Sequence, residues 1–195
     1  ENPPALTYAD FHERISTFNE KACLEAAARL QIDGIMTTGT DQPVYTAAYV
    51  ANKLGMPTFF SVETARKATH KMHMKKAFLA HGVPNVKHLL IDENTPMATY
   101  EKLAYPAVLK PLDSQGQRGI YKVESAEQAK AYLPHTLSFS REDHALMEEY
   151  YPNEEITVSC WVKNGLAAIL TIADRLSFDS PRHIGISRGH RIPSK

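Results

Sequence analysis

The sequence predicts a mixed α/β fold, with a helix-covered parallel sheet first and antiparallel hairpins after it. Residues 20–62 alternate between helical and strand-like patterns, which is typical of a parallel sheet covered by helices. Further along, residues 155–162 alternate apolar and polar side chains, and Asn164-Gly165 then provides a hairpin turn. A chain of 195 residues with 43% hydrophobic composition can bury one large core or two small ones.

The N-terminal part, residues 1–62, is predicted to form an α/β domain. Asn19 and Asp41 are the candidate N-caps of its two helices, and Gly55 ends the second. Short apolar runs that follow the helices are predicted to be strands. The predicted helices are residues 20–30 and 42–54, and the predicted strands are residues 32–36 and 58–62.

The second part, residues 63–195, combines short helices with strands, and Trp161 is expected to pack against the sheet. Helices are predicted at residues 63–69 and 70–80, from Thr95, and from Ser125 to Pro134. Strands are predicted at residues 86–91, 107–110, 120–123, 155–162 and 166–173. Residues 134–143 and 177–195 are predicted to be loops.

Charge and cysteine content exclude several classes of function. The formal net charge is zero, so no basic surface for nucleic acid or an anionic membrane is expected. Cys23 and Cys160 are predicted to be small buried side chains in a reducing compartment, the cytoplasm. His70 and His73 lie three residues apart, but no second cluster of ligand residues follows, so we predict exposed histidines and no metal site.

Residues 105–123 give the strongest indication of a binding site. An apolar run ends at Lys110, and a polar loop with Gly116 and Gly119 follows before a strand pattern resumes. The glycines allow positive φ, so several N–H groups can point toward one anion. Lys110 and Arg118 would add the positive charge that a polyphosphate requires. The alternative is an ordinary surface hairpin, because the loop is neither a Walker A nor a dinucleotide-binding sequence.

Four short segments follow one another along this part of the chain. They are His70-Lys71 with the downstream His81-Gly82-Val83-Pro84, Tyr105-Pro-Ala-Val-Leu-Lys110-Pro with its loop, Met147-Glu148-Glu149-Tyr150-Tyr151, and Glu155-Ile-Thr-Val158. In this order they resemble the ATP-grasp ligases, particularly the carbamoyl-phosphate-synthase and biotin-carboxylase branch, although that pattern has Asp where His70 stands here. The resemblance implies an ATP-grasp small lobe and the start of the large lobe in residues 63–195, preceded by part of another α/β domain.

The resemblance also implies a role for each segment. Lys71 and Lys110 would contact the ATP phosphates, and Glu155 would accept hydrogen bonds from the ribose. The hinge, residues 148–151, would read the adenine edge. Arg175 would hold a carboxylate or phosphate at the acceptor site, and the alternative is a surface ion pair with Asp. The implied ATP-binding residues are Lys71, Lys110, Ser114, Gln115, Gly116, Gln117, Arg118, Gly119, Glu148, Glu149, Tyr150, Tyr151 and Glu155, and Arg175 is the implied catalytic residue.

A function follows from the same resemblance. It implies an ATP-dependent carboxylate–amine ligase that forms a C–N bond through an acyl phosphate and uses Mg²⁺ with ATP. The partners would be a small-molecule carboxylate and an amine or other nucleophile, without nucleic acid or membrane, and a homodimer is compatible with it. The alternatives are an ATP-binding regulatory or pseudo-enzyme module of the same fold and a plain α/β interaction domain. Because the family's magnesium-binding carboxylates lie beyond the matched segments, we expect the chain to be an incomplete piece of such a ligase.

Overall fold

The computed structural model describes residues 4–114, 116–178 and 186–195, and the chain divides into two compact units between Gly82 and Val83. The implied ATP-binding residue Gln115 therefore lies outside the described residues. The domain boundary between residues 62 and 63 that the sequence suggests stays a prediction.

The first unit is helical. Its elements are a short 3₁₀ turn (Pro4–Tyr8) and the helices α1 (Glu20–Arg29), α2 (Gln42–Leu54), α3 (Val62–Thr69) and α4 (Lys71–Ala80). Asn19 caps α1 as predicted, since its side chain accepts a hydrogen bond from the Ala22 N–H at 3.1 Å. Gly55 ends α2 with φ +68°, the left-handed conformation that glycine adopts at low cost. The predicted helices of this unit are thus confirmed.

The two strands predicted in the first unit are wrong. Residues 32–36 and 58–62 form no strand, and no strand forms anywhere within residues 4–82. A strand requires a neighbour that pairs with its backbone N–H and C=O groups, and neither apolar run finds one among these residues. One large apolar side chain in each run is open to solvent, with Met36 77% and Phe59 89% exposed.

The second unit contains two antiparallel sheets, which gives the chain the α+β character expected of the resemblance. The four-stranded sheet has the order β1-β4-β2-β3, and the three-stranded sheet has the order β5-β6-β7. The strands are β1 (His88–Ile91), β2 (Ala107–Pro111), β3 (Tyr121–Val123), β4 (Ala145–Glu149), β5 (Ile156–Lys163), β6 (Leu166–Ser177) and β7 (Ser187–Arg191). The helices are α5 (Met97–Tyr100) and α6 (Ala126–Leu137).

Helix α6 covers one face of the four-stranded sheet. Ser125 caps the helix by accepting from the Gln128 N–H at 3.2 Å, as its sequence pattern predicts. Leu133 packs with Leu109 and Met147 in a core that is closed to solvent. The helix continues through Pro134 to Leu137, so the predicted end at Pro134 is wrong. The buried side chains on either side, Leu133 and Thr136, hold this last turn in place.

The three-stranded sheet departs from prediction in its length and exposure. The turn at Asn164-Gly165 forms as predicted, with positive φ at both residues. However, β6 continues to Ser177 and β7 pairs with it, so residues 177–195 are not simply a loop. Trp161 is 61% exposed and Cys160 is also exposed, so neither is packed as predicted. Alternation shows which side chains share a face, but burial depends on what covers that face.

Candidate functional site

Lys110 and Glu148 meet on the face of the four-stranded sheet that points away from the core. In β2, Ala107 and Leu109 face the core, so Lys110 lies on the opposite face. The register pairs Lys110 with Leu146, which places Glu148 diagonally across from the lysine. Lys110 Nζ forms an ion pair with Glu148 Oε1, and the two side chains are only 21% and 12% exposed. Two of the implied ATP-binding residues, 38 positions apart in sequence, are thereby brought together.

The loop after β2 has the backbone geometry that the glycine pattern predicts. Gly116, Gln117 and Gly119 have φ of +70°, +62° and +68°. Positive φ at these positions lets the chain turn tightly, which is how successive N–H groups come to line an anion site. Ser114 is half-buried, whereas Arg118 is exposed at the tip of the loop.

The base of the loop is fixed by a carboxylate that the sequence analysis missed. Asp113 is 9% exposed and accepts hydrogen bonds from Ser140 Oγ and Arg141 Nε, each at 2.7 Å. Burial raises the pKa of Asp113, but the hydrogen bonds from Ser140 and Arg141 and the arginine charge outweigh it, so this pKa lies below its usual value. An acidic residue two positions after a buried strand, in Pro111-Leu112-Asp113, is the sequence signal that hints at this role.

The hinge, residues 148–151, is bonded to neighbouring loops through its backbone. The Glu149 N–H donates to the Lys87 carbonyl and the Tyr150 N–H donates to the Pro106 carbonyl, each at 3.0 Å. Lys122 Nζ lies 4.3 Å from the centre of the Tyr150 ring, within the range of a cation–π contact. Those two N–H groups already donate to protein carbonyls, so they could bind an adenine edge only if these hydrogen bonds were broken.

Glu155 and Arg175 contact each other in the three-stranded sheet. The Arg175 N–H donates to the Glu155 carbonyl at 2.8 Å, and Arg175 Nη1 lies 3.3 Å from Glu155 Oε2. The residue next to Arg175, Asp174, is instead bonded to Arg191 Nε at 2.9 Å. Hydrogen bonds from Ser194 and Arg191 lower the pKa of Asp174. Within the described residues, the ion pair of Arg175 is therefore formed with Glu155 and not with its neighbour Asp174, although the alternative to a catalytic role had suggested an aspartate.

Lys71 is the first residue of α4, in the first unit. It follows His70, whose Nδ1 accepts a hydrogen bond from the His73 N–H at 3.4 Å. The imidazole thus occupies the N-cap position where the family pattern has Asp. The rings of His70 and His73 lie edge to face with their centres 4.7 Å apart.

Neither a metal centre nor a membrane span is seen in the part of the chain that the structure describes. Over residues 4–114, 116–178 and 186–195, His, Cys, Asp and Glu side chains do not gather in threes where a metal ion could be held. No magnesium ligand is assigned to these residues. No helix within these ranges is long and apolar enough to cross a membrane.

Curated proteins with detectable sequence similarity include D-alanine–D-alanine ligases and a carbamoyl-phosphate synthase. The chain is 27% identical over 136 residues to the D-alanine–D-alanine ligase of Actinobacillus succinogenes, covering 67% of this chain and 44% of that protein. It is 31% identical over 144 residues to the same enzyme of a Jannaschia species, covering 71% of this chain and 44% of that protein. A carbamoyl-phosphate synthase of Methanobrevibacter smithii is 26% identical over 132 residues, 65% of this chain and 34% of that protein. The chain thus spans less than half the length of these relatives.

Solved structures share the fold at lower identity, and no family model matches the sequence. An N5-carboxyaminoimidazole ribonucleotide synthetase in complex with ADP superposes with a TM-score of 0.73 and 17% identity, over 100% of this chain and 49% of that one. An L-amino acid ligase from Bacillus licheniformis gives a TM-score of 0.68 and 17% identity, over 87% of this chain and 39% of that one. Sequence relatives and structural neighbours agree with the series of motifs along the chain: it belongs to the ATP-grasp superfamily.

Proposed function

We propose that this chain supplies the ATP-binding part of an ATP-dependent carboxylate–amine ligase. The observation that carries the proposal is the partly buried Lys110, on the face of the four-stranded sheet away from the α6 core, next to a loop with positive φ at Gly116, Gln117 and Gly119. A partly buried ammonium and a turn of oriented N–H groups are what a polyphosphate requires. Superfamily membership and the ADP-bound structural neighbour support the same ligand.

The ion pair with Glu148 is compatible with phosphate binding. A lysine ammonium has three N–H donors, so Lys110 can donate to Glu148 and to a phosphate oxygen at the same time. Glu148 would then orient the ammonium, because both side chains are poorly exposed and in contact. We propose that Arg118 adds a second positive charge from the loop.

The proposed reaction has two steps. The substrate carboxylate attacks the γ-phosphate of ATP, which releases ADP and forms an acyl phosphate. An amine then attacks the acyl carbon, forms the C–N bond and releases phosphate. Mg²⁺ would accompany ATP and neutralise the phosphates, while the protein positions the nucleotide and balances its charge.

The substrates are proposed by class only. Our sequence-based hypothesis is a carbamoyl-phosphate-synthase-like ligase, which the Methanobrevibacter smithii relative supports. The D-alanine–D-alanine ligases support an amino acid as the carboxylate and the amine instead. Phosphate release in the presence of ATP would distinguish them: D- and L-amino acids should stimulate it in one case, and bicarbonate with ammonia in the other.

The first test is a thermal-shift titration with Mg-ATP. A ligand that binds only the folded state adds about 2.7 kcal/mol of stability at 100 times its dissociation constant. We expect a clear rise in Tm for the wild-type protein and none for Lys110→Ala, each measured against its own nucleotide-free Tm. Lys130→Ala, which removes an exposed lysine of α6, is the matched control and should behave as wild type. An equal rise in Lys110→Ala would contradict the assigned role of the lysine.

A further inference from the structure

Both ends of the proposed phosphate loop, described at residues 114 and 116–119, are attached to one short segment of the chain. This segment, residues 136–141, comprises the end of α6 and the residues just after it. At the N-terminal end of the loop, Asp113 accepts from Ser140 and Arg141. At the C-terminal end, Thr136 Oγ1 donates to the Gly119 carbonyl at 3.0 Å, and this contact is fully buried.

The Asp113 carboxylate is held by three donor groups. Besides the two side-chain bonds at 2.7 Å, the Arg141 backbone N–H lies 3.4 Å from both of its oxygens. Hydrogen bonds to a charged group are roughly twice as strong as neutral ones, and those from Arg141 also fix the carboxylate plane. Burial of this anion is thus offset by three donor groups within two residues, Ser140 and Arg141.

The location of Asp113 connects this arrangement to the binding site. It lies three residues after Lys110 and immediately before Ser114, where β2 passes into the loop. Consecutive Cα atoms are about 3.8 Å apart, so a shift at Asp113 is passed on directly to the first residues of the loop. The bonds to Ser140 and Arg141 therefore act at the point where the direction of the loop is set.

We propose that Asp113 is a positioning residue, which fixes the start of the phosphate loop against Ser140 and Arg141 so that the loop can engage the triphosphate. This inference rests on the proposed ATP site. In this arrangement the Asp113 carboxylate is engaged by Ser140 and Arg141 and would not contact the nucleotide, so its substitution should weaken binding of the phosphates while leaving binding of the nucleoside almost unchanged. A role limited to stability would lower the affinity for both ligands together.

The test compares ATP with adenosine by isothermal titration calorimetry. We expect Asp113→Asn and Arg141→Gln to raise the dissociation constant of Mg-ATP about tenfold and that of adenosine less than about twofold. Arg141→Gln matters in case Asp113→Asn fails to fold, because the Arg141 side chain is 56% exposed and its loss should be tolerated. Lys130→Gln removes one positive charge, as Arg141→Gln does, but from the exposed surface of α6. It should change the dissociation constant of neither Mg-ATP nor adenosine.

The outcomes separate this inference from the proposed function. If wild type binds ATP and Lys110→Ala does not, but the Asp113 and Arg141 variants bind ATP normally, the positioning role is wrong and the ATP site stands. Equal weakening of ATP and adenosine would also overturn the positioning role. If the wild-type protein binds no ATP, the proposed function and this inference are both wrong.

Discussion

Gly119 is the position where one added methyl group should perturb the phosphate loop most. Its φ is +68°, and a Cβ there would lie 2.8 Å from Phe139 Cδ2 and 3.3 Å from Phe139 Cβ and Cγ. Phe139 in turn packs edge to face on His135, with ring centres 5.1 Å apart. Gly116 provides a matched control, because it has nearly the same φ, +70°, and, chain neighbours aside, no atom of the described residues lies within 4 Å of the added Cβ.

Alanine at either glycine would carry the same backbone strain, but only at Gly119 would its Cβ also contact Phe139. Left-handed backbone costs an ordinary residue about 1–2 kcal/mol, and overpacking adds about 1–3 kcal/mol. Because Phe139 is 38% exposed, its ring has room to shift, and we expect the lower part of the overpacking range. Gly119→Ala should therefore lower the free energy of unfolding by about 2–3 kcal/mol, and Gly116→Ala, which carries the backbone strain alone, by about 1–2 kcal/mol.

Hydrogen exchange of the β2 and β4 amides measures this free energy for the second unit alone, which matters because the two units need not unfold together. In a Phe139→Ala background, the loss caused by Gly119→Ala should fall to that of Gly116→Ala. Equal losses for the two glycine variants in the wild-type background would refute the argument from the Phe139 contact.

Two further predictions concern ionisable and capping groups. Because the pKa of folded Asp113 is lowered, its stabilising effect should be complete above about pH 4 and disappear as the pH falls through the folded pKa. Urea unfolding between about pH 2 and 6 should therefore show wild type and Asp113→Asn converging at the acid end, and a constant difference would contradict this. His70→Asp should stabilise α4 by about 0.5 kcal/mol, measured by hydrogen exchange of the α4 amides. The better N-cap contributes about 1 kcal/mol, and part of this gain is lost because the new carboxylate also lies at the C-terminal end of α3, where the helix dipole disfavours a negative charge. An unchanged or faster exchange of these amides would contradict the capping argument.

Features set by neighbouring residues were predictable from the sequence. The cap at Asn19, the end of α2 at Gly55 and the turn at Asn164-Gly165 all depend on side chains or φ values within a few residues. The strand that contains Lys110 and the positive φ of the loop after it belong to the same class. For this reason the sequence could predict that a cation and a flexible loop are adjacent.

Features that depend on distant parts of the chain were missed. Lys110 and Glu148 are 38 positions apart, and Asp113 and Arg141 are 28 apart, so only the sheet register and the return of α6 bring them together. The strands predicted at residues 32–36 and 58–62 failed for the same reason, because an apolar run contains no information about its pairing partner.

The most direct test of the central claim, that the face around Lys110 and the loop after it bind ATP, is hydrogen exchange with and without Mg-ATP. If the account is right, nucleotide should slow exchange at Gly116 to Gly119 and around the hinge, residues 148–151. This protection should be absent in Lys110→Ala and present in Lys130→Ala. Protection confined to other parts of the chain, or none at saturating Mg-ATP, would contradict the account.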